Sequence, residues 1–166
     1  MKGKTSKEIE YGVKVKNSKA LIAYLNAHAV NKGSIKTLRE VYKKDNSNYF
    51  FRTDQQKKDG KKYYVFSVKE DLLGKQGVDS GMKVSEEVDI EVSKEQLEKL
   101  KQIIILLGYS LVTTISKTRL IYCMDGLMVT LDSYPDNDYL EVEGDSEDKV
   151  MSLVAKLPVV KFDEGS

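Results

Sequence analysis

The chain has 166 residues, 40% of them apolar, enough for one closed core and too few for two comfortable domains. Its 27 lysines and arginines stand against 26 aspartates and glutamates; a net charge of +1 excludes long-range steering toward nucleic acid or an acidic membrane surface, so any anion must be recognised locally. A single cysteine excludes an intrachain disulfide, and no apolar run approaches the ~20 residues of a membrane span. The opening Met-Lys-Gly-Lys-Thr-Ser-Lys lacks the apolar stretch of a signal peptide, so a cytoplasmic location is expected.

Residues 7–16 alternate as a strand, with Ile9, Tyr11, Val13 and Val15 on one side and Glu8, Glu10, Gly12, Lys14 and Lys16 on the other. A helix starts at Ser18, its stripe formed by Leu21, Tyr24, Leu25 and His28, and the Asn31-Lys32-Gly33 run is expected to end it. Strands are predicted over 35–44, 48–55, 62–70 and 83–92. Ser93 and Gln96 have the spacing of a capping box and open a second helix through Leu97, Leu100, Ile104 and Leu107 to Gly108. Strands over 109–124, 127–134 and 138–144 follow, and a third helix after Ser146 carries Val150, Leu153, Val154 and Leu157 before Pro158. The tail from Phe162 to Ser166 is expected to fray, leaving a single domain over 1–166 with its core at about 7–157.

Two turns allow the register to be worked out. Asp125-Gly126 is a two-residue hairpin signal, which pairs Met124 with Leu127 and sets Arg119 opposite Asp132. Leu120/Leu131 and Tyr122/Val129 then share an apolar face, and Arg119/Asp132, Ile121/Thr130 and Cys123/Met128 share the other. Asp59-Gly60 likewise pairs Lys58 with Lys61, sets Arg52 opposite Ser67 and Phe50 opposite Lys69, and places Arg52 and Lys69 on one face.

The charges on these alternating faces are sorted by sign. Acidic pairs stand at Glu8/Glu10, Glu87/Asp89 and Glu141/Glu143, and basic pairs at Lys14/Lys16 and Lys117/Arg119. An ordinary solvated strand face has no need of such sorting. A sheet with its apolar face under amphipathic helices and its charges on the opposite face predicts an α+β fold, an antiparallel eight-stranded closed or nearly closed β-barrel with helices packed outside. Charges packed dry cost several kcal/mol each unless paired, so the lumen should be wide, hydrated and able to hold one polyanion together with a metal.

The residues Glu8-Ile9-Glu10, Arg52, Lys69, Glu87-Val88-Asp89, Leu107-Gly108-Tyr109, Lys117-Thr118-Arg119, Val129-Thr130-Leu131-Asp132 and Tyr139-Leu140-Glu141-Val142-Glu143-Gly144 resemble, in order and spacing, the CYTH family of triphosphate tunnel metalloenzymes. That family includes thiamine triphosphatases, inorganic triphosphatases and class IV adenylyl cyclases. The resemblance implies a metal-dependent triphosphatase acting on inorganic triphosphate or a small organic triphosphate inside the barrel. An adenylyl cyclase making cyclic AMP and pyrophosphate from ATP is the alternative enzyme. It implies Glu8, Glu10, Asp132, Glu141 and Glu143 as metal ligands, Arg52, Lys69, Lys117, Arg119 and Glu87 as substrate contacts, and Glu8, Glu10 and Lys14 as catalytic residues.

Carboxylates converging on a lumen suit a hard cation, Mg²⁺ or Mn²⁺ rather than zinc, because the chain has one His and one Cys. The expected partner is a triphosphate-containing small molecule, not nucleic acid or membrane, bound by a monomer or homodimer.

The departures bear on activity. The family signature Glu-x-Glu-x-Lys has Gly12 where its lysine belongs, and the next lysines on that face are Lys14 and Lys16. A bulge near Gly12 would bring Lys14 back; without one, loss of the tunnel lysine leaves a noncatalytic triphosphate- or polyphosphate-binding module. Only Phe50 and Asp54 flank Arg52 where the family usually offers two arginines, so fewer basic contacts are expected. His28 reads as a packing residue, Cys123 as a structural thiol, Lys57-Lys58-Asp59-Gly60-Lys61-Lys62 as a charged turn, and Asp71 to Gly81 as a floppy connection or a lid.

Overall fold

The computed structural model describes residues 2–71 and 82–157, with side chains over 8–70 and 84–157. Its strands are β1 (Lys2–Val15), β2 (Val30–Lys43), β3 (Tyr49–Lys58), β4 (Lys61–Asp71), β5 (Met82–Val92), β6 (Ser110–Met124), β7 (Leu127–Ser133) and β8 (Asp138–Gly144). The helices are α1 (Ser18–His28), α2 (Lys94–Leu106) and α3 (Glu147–Lys156). The strands close an antiparallel barrel in the order β1-β5-β4-β3-β2-β6-β7-β8. Apart from Asp71, the stretch predicted as a lid lies outside the described residues, as does the tail from Phe162.

Both hairpin registers are as the turns predict. Arg119 faces Asp132 and Met124 faces Leu127, while Arg52 faces Ser67 and Phe50 faces Lys69. Asp59, Gly60, Asp125 and Gly126 all have positive φ, the conformation of the tight turn that follows the twist of the flanking strands.

The barrel's apolar core lies outside it. Helices α1 and α3 bury Leu21, Leu25, Val150 and Leu153 against Tyr122, Val129, Leu131, Leu140 and Val142. Helix α2, whose Ser93/Gln96 capping box is formed, buries Leu97 and Ile104 against Tyr42, Phe66 and Val92. With every strand giving one face to this outer core over at least part of its length, period-2 alternation leaves the other face, with its charges, to line the lumen.

One local expectation differs. Helix α1 ends at His28, and the Asn31–Gly33 segment is a register shift inside β2, which starts at Val30. The cap of α1 is Asn17, whose side chain accepts from the Ala20 amide.

Candidate functional site

The inward faces enclose a cavity of about 510 Å³. Seven carboxylates line it (Glu8, Glu10, Asp54, Glu87, Asp89, Glu141, Glu143) against five cationic groups (Arg39, Arg52, Lys69, Lys117, Arg119). With all groups ionised the lining carries excess negative charge, which favours uptake of cations or protons.

The acidic wall is built from β1, β5 and β8. Glu8 and Glu10 are two residues apart on β1, and Glu10 faces Glu143 across the β1–β8 ladder. One carboxylate oxygen from each of these three residues lies within 4.8 Å of the others. Burial raises the Glu8 and Glu143 carboxyls above the usual range, with mutual repulsion adding to it. Lys69 Nζ lies 3.7 Å from both Glu8 and Glu10 and partly offsets their charge. Opposite Glu8 on β5, the hydroxyl of Ser85 is buried and has no hydrogen-bond partner among the described residues. Three carboxylates and an unpartnered hydroxyl form an all-oxygen donor set that fits a hard divalent cation. Glu87 bonds to Arg52 and sits beside Glu8; burial and that carboxylate raise it in spite of the guanidinium.

The opposite wall is basic and tightly tied. Asp132 is fully buried and accepts from Lys117 Nζ at 2.9 Å, Arg119 Nε at 2.6 Å and Arg119 Nη2 at 2.7 Å. Although burial alone would raise it, these cations hold the Asp132 carboxyl below the usual range. Burial, with Arg39 and Arg119 nearby, lowers the Lys117 ammonium to about 8. Arg39 on β2 makes a bidentate pair with Asp54 on β3, both bonds at 2.8 Å. Each bidentate arginine keeps N–H donors in reserve for a ligand. Tyr134 completes this end, with Lys117 Nζ 5.9 Å from its ring centroid.

The cavity therefore brings together Glu8, Glu10, Arg52, Lys69, Glu87, Lys117, Arg119, Glu141 and Glu143. The structure sets three of the expected site residues apart. Lys14 does not line the cavity: the β1–β8 register runs unbroken from Ile9 to Val15, no bulge forms at Gly12, and Lys14 faces Tyr139. Asp132 lies outside the carboxylate trio because both its oxygens are held by Lys117 and Arg119. Glu141 also lies outside it, 3.6 Å from Arg119 and opposite Gly12.

Arg39 was not foreseen, and neither were the lumenal roles of Asp54, Ser85 and Tyr134. The available signal was that Arg39 alternates with Thr37 and Val41 on the inward side of β2. His28 is exposed and stacks on Tyr24, with ring centroids 4.3 Å apart. Cys123 is a free thiol facing Met128. No helix among the described residues is long and apolar enough to cross a membrane.

No protein-family model and no curated protein matches the sequence. Solved structures do match the fold. The PH1012 protein of Pyrococcus horikoshii superposes with a TM-score of 0.73 at 22% identity, over 93% of this chain and 91% of that one. A candidate adenylyl cyclase of Hippeastrum, HpAC1, described as having a dominant triphosphatase activity, gives 0.66 at 14% identity over 96% and 92%. A candidate adenylate cyclase of Bacillus halodurans gives 0.64 at 17% identity over 98% and 95%. The barrel is thus the fold implied by the resemblance to the CYTH family; at these identities the likeness carries the fold alone.

Proposed function

We propose that this barrel is a triphosphate tunnel that hydrolyses inorganic triphosphate or a small organic triphosphate, such as thiamine triphosphate or a nucleotide, with Mg²⁺ or Mn²⁺. The observation that carries this reading is the division of one cavity into a carboxylate trio on one wall and guanidinium and ammonium groups on the other. A linear polyanion needs both: fixed cations along its length, and a metal to neutralise the phosphoryl group that reacts.

Glu8, Glu10 and Glu143 would hold the cation, with Ser85 Oγ donating to a bound phosphate oxygen or water. The metal would withdraw charge from the terminal phosphoryl group. Lys69, already poised between Glu8 and Glu10, would turn its ammonium to the phosphate once the carboxylates are neutralised. Arg52, Arg119 and Lys117 orient the remaining phosphoryl oxygens, and Asp132 and Asp54 keep Arg119 and Arg39 aimed inward before substrate arrives. A carboxylate of the acidic wall orients the water for in-line attack on the terminal phosphorus, releasing phosphate and the shortened anion. The triphosphatase activity described for the Hippeastrum protein supports this reading.

A second reading, a binding module without turnover, is favoured by the unbroken register at Gly12, which leaves the lumen without the signature lysine. One assay separates these readings from cyclase activity: phosphate and cyclic AMP release from inorganic triphosphate, thiamine triphosphate and ATP, with Mn²⁺, Mg²⁺ or chelator. Metal-dependent phosphate release is expected. Cyclic AMP with pyrophosphate would replace the hydrolase reading by the cyclase, and tight triphosphate binding with no product would replace it by the binding module.

A further inference from the structure

We propose that the outer surface of the barrel carries a second anion site, separate from the tunnel, that takes an anion with two or more linked phosphoryl groups. Helix α2 covers the outer face of β2–β4 only at one end, over Tyr42 and Phe66. Beside it the same face is open, and there Lys36, Lys57 and Lys62 stand in register, Lys36 opposite Lys57 and Lys57 opposite Lys62. At the spacing of neighbouring strands the three ammonium stems span about 10 Å.

Directly opposed like charges oppose sheet formation. None of the three lysines has a carboxylate partner among the described residues. Simple solubility would be served as well by lysines that alternate with acids, as charges elsewhere on this chain do.

The lysine row edges a pocket of about 250 Å³ whose lining has no carboxylate among the described residues. A second row in register forms its floor: Ser116 opposite Leu38, Leu38 opposite Gln55, and Gln55 opposite Tyr64. The pocket is smaller than the ~300–1,000 Å³ typical of sites for drug-sized molecules, so a compact anion fits it better than a large organic ligand. On the outer face its donors are the three ammonium groups of the row, the Gln55 amide and the hydroxyls of Ser116 and Thr118, the set that recognises phosphoryl oxygens, while Leu38 and Tyr64 offer an apolar shelf on one side. Inorganic diphosphate or triphosphate, or the phosphate tail of a nucleotide with its organic part on that shelf, shares this chemistry. The lysine row and the floor beneath it lie on the opposite face of the strands from the lumen; Gln56 and Lys117, which line the tunnel, also border this pocket, and the tunnel variant below leaves both in place.

The test is calorimetric titration of the full chain with tripolyphosphate and with ATP, in chelator at fixed ionic strength. The proteins are the wild type, Lys36→Gln/Lys57→Gln/Lys62→Gln, and the tunnel variant Lys69→Gln/Arg119→Gln. With three charge-assisted contacts removed, the lysine variant should lose at least about tenfold in affinity at one site. The tunnel variant should keep that site. The lysine variant should also melt no lower than the wild type at low salt, since it has lost a repulsive ladder; this reads the site without any ligand. Tighter binding of ATP than of tripolyphosphate would assign the nucleotide as occupant, and equal binding the inorganic anion. Affinity unchanged in the lysine variant, displacement by sulfate at matched ionic strength, or preference for an oligonucleotide over both anions would overturn the proposal. Loss of all binding in the tunnel variant alone would overturn it while leaving the tunnel reading intact.

Discussion

Replacing Glu143 by Gln separates a metal site from a merely acidic wall, because the two predict opposite changes with and without metal. Glu143 is one of three carboxylates whose oxygens converge within 4.8 Å, and burial with its acidic neighbours raises it above its ordinary range. A carboxylate whose folded pKa is raised contributes stability below its unfolded pKa, and that contribution is lost as pH rises through the folded value. Without metal the wild type loses it progressively as pH rises from 5 toward 7 and beyond. The neutral amide never had that charge to bury, so the variant should melt at or above the wild-type temperature in chelator. With Mn²⁺ at 100 times its Kd, a protein that binds the ion only when folded gains about 2.7 kcal/mol. At roughly 2–4 °C per kcal/mol for a chain of this size, that is an upward shift of about 5–11 °C for the wild type. Glu143→Gln keeps only two carboxylates of the trio and should show little of this shift. Melting curves in chelator and over a Mn²⁺ series, at pH 5 and pH 7, read every arm. A variant that melts well below wild type in chelator would refute the electrostatics, and one that responds to Mn²⁺ as wild type does would refute the ligand assignment.

Asp132→Asn leaves Lys117 and Arg119 without their shared, fully buried counter-charge, and should cost about 3–5 kcal/mol in urea unfolding; a loss under 1 kcal/mol would mean that water enters to replace the carboxylate. Lys117 titrates near 8 when folded and near ~10.4 when unfolded, so the unfolded chain holds the proton more tightly. Stability therefore rises with pH across that interval, and Lys117→Met should remove the rise; parallel wild-type and variant profiles would show the ammonium to be hydrated instead. A Cβ on Gly144 would lie 2.5 Å from Leu127 Cδ2 and 3.3 Å from Val150 Cγ2, so Gly144→Ala should cost about 1–3 kcal/mol and leave the Mn²⁺ response untouched. A Cβ on Gly12 would meet nothing nearer than Glu141 Cγ at 3.8 Å, so Gly12→Lys should fold normally. One added charge-assisted contact should tighten triphosphate binding by about 10- to 100-fold, and an unchanged affinity would mean that the ligand does not pass Gly12.

The fold was legible because each level of the sequence agreed with the next. Alternation placed the strands, Asp59-Gly60 and Asp125-Gly126 fixed two registers, and the Ser93/Gln96 box marked α2. Where a local signal was ambiguous, pairing decided. Asn31-Lys32-Gly33 reads as a helix stop, yet it sits where β2 follows β6 through a register shift, because Val30 and Asn31 find partners in Cys123 and Tyr122. Nothing in a single strand announces a partner about ninety residues downstream.

The site was legible by face and not by partner. Sequence periodicity says which side chains enter the lumen, and it placed Glu8, Glu10, Arg52, Lys69, Arg119 and Glu143 there. It does not say which charges neutralise one another. Asp132 shares the lumenal face, but in this structure two cations hold its oxygens, while Glu141 lies apart from the trio, 3.6 Å from Arg119. The sequence does not single out Arg39, because Glu40 and Lys43 beside it give β2 no sorted sign, although its inward position follows from alternation with Thr37 and Val41. Its presence changes the reading of the departures at Gly12 and around Arg52. The lumen lacks the lysine expected on β1 but gains a guanidinium on β2, locked by Asp54 at 2.8 Å. Anion binding can survive such a transfer of charge from one wall to another, since a polyanion responds to the summed field of the cavity. Turnover moves less freely: in the proposed hydrolase the cation beside the metal would be Lys69, while Arg39 belongs to the basic wall, where its guanidinium is tied to Asp54. Binding without Gly12→Lys and turnover only with it would therefore be the signature of a tunnel whose charge has been redistributed.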